Sequence, residues 1–159
     1  VPVVEDESDA VLDAPPVVEL EEPREDRSDL GVRAVPAVRS AEQAAMDLPF
    51  SEAVRVGHML YLAGQVGNRP GEMTVVGGGI QAEARQTMEN IKGVLERYGS
   101  SMDRVVKCTV MIDEIGEWGA FNDVYVEYFP GPKPARSAFG ADGLALDAAV
   151  EVECWATVG

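Results

Sequence analysis

The sequence predicts an α+β domain in which one mixed β-sheet is covered on one face by two helices. Stretches at 104–113 and 150–158 alternate apolar and polar residues with a period of two and mark half-buried strands. Two other stretches place apolar residues at intervals of three or four and mark amphipathic helices. The order β-β-(β)-α-β-α-β-β then leaves a single sheet with helices to cover it.

The first strands lie in Val54–Val66, an apolar run broken by Gly57 and His58, which reads as a hairpin. Met73 to Val76 is a candidate for a short third strand. Gly77, Gly78 and Gly79 follow as a flexible strand-to-helix connection, lacking the Gly-Lys-Ser/Thr of a phosphate loop. In the first helix Ala84, Met88, Ile91, Leu95 and Tyr98 form one stripe, and Gly99 stands where a helix end takes a glycine. The next strand turns Val106, Cys108, Val110 and Ile112 one way, Lys107 and Thr109 the other. Trp118, Phe121, Tyr125 and Tyr128 define the second helix, ended by Phe129-Pro130-Gly131. Pro132 and Pro134 lead into a short strand carrying Arg136. In the last strand Val150, Val152, Cys154, Ala156 and Val158 face the core, with Glu151, Glu153, Trp155 and Thr157 opposite.

A chain of 159 residues with 46% hydrophobic content buries one core, and no stretch approaches the roughly 18 apolar residues of a membrane span. No membrane partner is expected. The formal charge of −15 is uneven: residues 1–30 hold 11 acids and 2 bases, net −9, and the remainder holds 17 acids and 11 bases, net −6. Val1 to Arg39 contains five prolines and no aromatic residue, so alone it is expected to be disordered or extended. The expected organisation is an acidic, proline-containing extension over 1–43 and a folded domain over 44–159. Val17-Val18-Glu19-Leu20 alternates like a strand able to join a sheet edge. A docking arm that engages a protein partner through residues 1–40 and a solubilising linker both remain open. No basic segment followed by an apolar one stands at the N-terminus; a cytoplasmic location is expected, with export after removal of a signal peptide left open.

Two carboxylates on one strand face must meet water, pair with a cation or take part in chemistry. Arg136 is the nearest cation in sequence, and a structural Arg–Glu pair at a sheet surface is the plain alternative. His58, the single histidine, lies at a turn and offers no catalytic triad or dyad; without CxxC or HExxH no metal is expected. Cys108 and Cys154 read as buried thiols, since two cysteines alone do not argue for a disulfide framework. Acidic tail and acidic body give nucleic-acid binding no electrostatic footprint.

Pro134-Ala135-Arg136-Ser137 with Val150-Glu151-Val152-Glu153 resembles the C-terminal signature of the RidA family, also called YjgF or UK114, the reactive-intermediate deaminases. Leu48-Pro49-Phe50-Ser51-Glu52-Ala53-Val54 is similar to that family's opening segment, Leu62-Ala63-Gly64-Gln65 to its Ser-Gly-Gln turn, and Gln81–Leu95 to its first helix. Phe121-Asn122-Asp123-Val124-Tyr125 falls where the family has an Asn-bearing second helix, so the resemblance covers about residues 46–158 in order.

The resemblance implies a chorismate-mutase-like fold, a homotrimer with sites at subunit interfaces, and hydrolysis of amino-acid-derived enamines or imines to a 2-keto acid and ammonia, without metal or cofactor. It assigns the substrate carboxylate to Arg136 and the Gly64 N–H, the activation of water to Glu151, and the ordering of water or substrate to Asn122. Phe50, Ala63 and Ala138 line the expected pocket; each replaces a residue that in many members is polar (Tyr, Ser, and Cys or Thr), so a more apolar pocket and a bulkier or less polar substrate are expected. Two non-enzymatic readings stand beside this one: a trimeric metabolite-binding or chaperone-like module, and a scaffold displaying an acidic docking arm.

Overall fold

The computed structural model describes residues 18–19, 37–39 and 41–159. Most of the extension expected over 1–43 lies outside the described residues. Two short strands, β1 (Val18–Glu19) and β2 (Ala37–Arg39), pair with each other, and β2 pairs with β3 (Ala53–Val56), so Val18–Glu19 adds a strand to the sheet edge. Helix α1 (Ala41–Ala45) follows β2. The hairpin expected from Val54–Val66 is β3 with β4 (Met59–Leu62), turning at Gly57–His58, and β5 (Gln65–Val66) continues beyond a break. Helix α2 (Ile80–Arg97), β6 (Val105–Ile112), α3 (Trp118–Tyr125), β7 (Ala135–Gly140) and β8 (Val150–Thr157) complete the order.

The sheet runs β1-β2-β3-β4-β8-β6-β7, antiparallel except between β6 and β7. β4 pairs with the 155–157 end of β8 and β5 with Glu151 and Val152, so β4 and β5 are two pieces of one neighbour strand, interrupted at Ala63–Gly64. One sheet face carries Leu60, Val110, Ile112, Val150 and Val152 against Ala84, Met88, Ile91 and Leu95 of α2 and Phe121 of α3. Fully burying such side chains contributes about 1.5–3 kcal/mol each, which makes this interface the core of the domain. Gly99, at φ 77, ends α2 in left-handed backbone, and the amide of Ser100 donates to the Leu95 carbonyl at 2.8 Å.

Three sequence expectations change, and the order of the last strands is a further finding. Met73–Val76 forms no strand; a single bridge joins Asn68 to Val75. A bulge between Val105 and Lys107 puts Val105 in the core and leaves Val106 42% exposed, because the extra residue reverses the alternation at that end of β6. β7 and β8 are not adjacent, since β6 lies between them. Cys108 and Cys154, expected as thiols, are joined by a disulfide: they sit opposite each other on β6 and β8 with Cα atoms 4.2 Å apart, close enough for cross-strand sulfurs to bond. Among the described residues no helix is long and apolar enough to cross a membrane.

Candidate active site

The alternation of β8 sends Glu151 and Glu153 to the sheet face away from the helices, while Val150, Val152 and Cys154 are buried beneath them. Beside Glu151 the neighbouring strand breaks at Ala63–Gly64. A side chain at residue 64 would displace the Glu151 carboxylate: an ideal Cβ there would lie 2.7 Å from the Glu151 carboxyl carbon and closer still to Oε1. Glycine at this position is therefore what lets a carboxylate rest against backbone. The Gln65 side chain stabilises the break by donating to the Ala63 and Gly64 carbonyls at 3.3 and 3.2 Å.

This carboxylate opens onto a cavity of about 390 Å³, lined also by Phe50, Ala63, Gly64, Gln65 and Asn68. Partial burial disfavours its charged form and Glu153 repels it, so the Glu151 pKa lies above the ordinary glutamate value. A carboxylate so placed exchanges protons closer to neutrality than an exposed one, as a general base requires.

The cavity wall is held from behind by residues that the sequence reading passed over. The Ala63 amide donates to the Glu52 carbonyl at 2.9 Å. The Glu52 side chain, 6% exposed, accepts from Arg97 Nη1 at 2.6 Å and from the Tyr98 hydroxyl at 2.5 Å, tying the end of α2 to the β3–β4 hairpin. Asn90 of α2 donates to the Val66 and Asn68 carbonyls, fixing the far side of the break. An acid amid the apolar Pro49–Val56 segment was the available signal for Glu52; its partners, over forty residues away, carry none.

Arg136 lies elsewhere. β7 is the sheet edge, and Arg136 is level with Cys108 in the parallel β6–β7 register, which turns its side chain to the helix-covered face. The guanidinium sits 4.7 Å from the centroid of the Tyr125 ring, with Trp118 and Phe121 near 6 Å, and Nη1 donates to Asn122 Oδ1 at 2.8 Å. Burial pushes the Tyr125 hydroxyl up to about 12 despite the nearby cation, so the ring beneath Arg136 is neutral. Ala138, two residues along the same strand face, packs against the core. Asn122 thus holds the arginine rather than lining the cavity.

One protomer brings together Phe50, Ala63, Gly64 and Glu151, and separately Arg136, Asn122 and Ala138. It does not bring the two groups together, and Arg136 makes no ion pair with Glu151 or Glu153. Among the described residues no cluster of His, Cys, Asp or Glu is placed to hold a metal ion.

A strand break under a half-buried carboxylate, on a mixed sheet with two helices on one face, defines a small α+β domain of the YjgF type with a cavity for a small molecule. The family model described as Endoribonuclease L-PSP matches residues 41–158. The chain belongs to that family, also called RidA, YjgF or UK114. It is 37% identical over 111 residues to a 2-iminobutanoate/2-iminopropanoate deaminase of Mus musculus, covering 70% of this chain and 82% of that one. A protein of the same name from Dermatophagoides farinae is 42% identical over 105 residues, 66% of this chain and 82% of the relative. Among solved structures, RidA from an Antarctic Psychrobacter superposes with a TM-score of 0.67 at 34% identity, over 70% of this chain and 90% of the other. E. coli TdcF with bound serine gives 0.66 at 27% identity, over 70% and 90%. Imine deamination is the activity for which these two relatives are named.

Proposed function

We propose that the protein hydrolyses reactive imines, and their enamine tautomers, derived from amino acids, in a site shared by two subunits of a homotrimer. The observation that carries this reading is the Glu151 carboxylate seated on Gly64, facing the cavity with its pKa raised. Glu151 takes a proton from water as the water oxygen bonds to the imine carbon. In the protonated imine this gives a neutral carbinolamine. Glu151 returns that proton to nitrogen, the C–N bond breaks and ammonia leaves; Glu151 takes the carbinolamine hydroxyl proton as the C=O of the 2-keto acid forms, then gives it up to solvent. General acid–base participation of this kind contributes about 10²–10⁴-fold.

The substrate carboxylate needs a cation, and among the described residues of a single chain none lines the cavity. Arg136 stands at the sheet edge, oriented by Asn122 and Tyr125, and in a trimer it would reach the cavity of the next protomer with its remaining N–H groups directed at the carboxylate beside the Gly64 N–H. Cation–π contact contributes about 0.5–2 kcal/mol to holding it there. The uncovered sheet face supports association: Trp155 and Phe139 are 40% and 49% exposed on it.

The test generates 2-iminopropanoate in situ with an amino acid oxidase and follows keto-acid release. Wild type accelerates release, whereas Arg136→Ala and Glu151→Gln do not. Mixing the two inactive variants, with subunit exchange, restores activity at roughly a quarter of the sites, because each intact site then draws one residue from each variant. No acceleration by wild type on any imino acid would leave a carboxylate-binding module without turnover; no restoration on mixing would remove the shared site.

A further inference from the structure

The polar end of the cavity is small and its remaining wall is apolar. Leu48, Phe50, Val66, Met73 and Leu146 meet there, and among the described residues Glu151 is the single ionisable group on the lining. Phe50 and Met73, at 47% and 58% exposure, stand where a soluble surface ordinarily has polar groups. Leu146 is held in an unusual way. It lies at φ 61 and ψ 25, and Asp147 beside it at φ 53, consecutive left-handed residues that side-chain-bearing positions rarely adopt. The turn is braced on both sides: the Asp147 amide donates to the Leu144 carbonyl at 3.2 Å, and the Ala149 amide donates to buried Glu83 at 2.7 Å. A strained, braced turn that presents a leucine to a reactive cavity is a fixed wall rather than a loop tip.

Building on the deaminase reading, we propose that this wall, with Leu146 as its gauge, selects imines bearing a long apolar side chain, those derived from leucine- or methionine-type amino acids, over those derived from alanine. A cavity of about 390 Å³ holds a ligand several times the bulk of 2-iminopropanoate, and a small substrate would leave most of the apolar lining against water. Each buried methylene adds about fourfold to binding. A leucine-type side chain has three more carbons than an alanine-type one; with the cleft open on one side, about half of that free energy is realised, which gives about a tenfold preference. Imines with an acidic side chain are rejected, since among the described residues the lining carries no cation to receive a second carboxylate and Glu151 repels it.

The experiment compares kcat/KM for imines generated by an amino acid oxidase from alanine, leucine, methionine and glutamate, using the full-length protein. The expected order is leucine and methionine above alanine by about tenfold, with glutamate lowest. Leu146→Ala, which keeps a side chain in the strained turn but removes its bulk, is expected to lower the leucine-to-alanine ratio by about fivefold. Should that variant fail to fold, Met73→Ala on the exposed connection carries the same reading. A leucine-to-alanine ratio at or below one, with turnover still dependent on Glu151, overturns the selection and leaves the deaminase reading intact. An unchanged ratio in both variants overturns the assignment to this wall, and absence of turnover with every imine overturns the deaminase reading and the selection together.

Discussion

Gly64→Ala separates the catalytic arrangement from the stability of the fold. Gly64 does not occupy left-handed backbone, so alanine is conformationally allowed there. The new methyl would lie 2.7 Å from the Glu151 carboxyl carbon, nearer still to one of its oxygens, and 3.1 Å from Cγ. All three atoms belong to the end of one flexible side chain, which swings aside by rotation about its own bonds. Stability therefore changes by no more than about 1 kcal/mol, a shift of only a few degrees in melting temperature. The carboxylate, however, leaves the backbone it rested on, and with it goes the general-base contribution of about 10²–10⁴-fold. Thermal melting and single-turnover release of keto acid, measured on the same preparation, check both halves. A variant that melts normally and retains turnover within about threefold of wild type would refute the claim that the Gly64–Glu151 contact sets the base.

Other outcomes follow from the same geometry. Turnover should rise with pH as Glu151 loses its proton; Glu153→Gln removes the neighbouring charge that raises this pKa, so the acid limb of the kcat/KM profile moves to lower pH. Folding holds the Glu151 pKa above its unfolded value, so stability falls as pH rises through the folded pKa; Glu151→Gln should melt higher than wild type on the alkaline side while losing activity. Arg97→Met removes the cationic partner 2.6 Å from a carboxylate whose side chain is only 7% exposed, leaving it the Tyr98 hydroxyl, and is expected to cost about 3 kcal/mol, read as a fall of about 10 °C in melting temperature. The Cys108–Cys154 bridge spans 46 residues, and the double alanine variant should lose about 4 kcal/mol on the chain-entropy estimate; intact mass under non-reducing conditions, lower by two hydrogens than the thiol form, checks the bond itself.

Local pattern carried far into this fold. The stripe from Ala84 to Tyr98 marked α2, and the alternation of 150–158 assigned both faces of β8 correctly, because helical and extended periodicities are written in consecutive residues. Pairing is not written that way. The insertion of β6 between β7 and β8 separates Arg136 from Glu151, and registers level with Cys108 and with Met111 put them on opposite faces; neither position signals this by itself. The bulge at Val105–Lys107 reversed one residue for the same reason, since it answers to the partner strand. Of the residues expected at the site, Phe50, Ala63, Gly64 and Glu151 share the cavity, while Asn122 turned out to hold Arg136. The bond between Cys108 and Cys154 depends on a cross-strand register that their spacing in the chain cannot reveal.

That bond also constrains when it can be made. Both cysteines are 0% exposed, sealed between the sheet and its helices, and exchange requires an attacking thiolate to reach sulfur in line. Oxidation must accordingly precede or accompany closure of the domain. Once the molecule is finished, the state of this pair is a record of the surroundings in which the chain folded, insulated from those it enters afterwards.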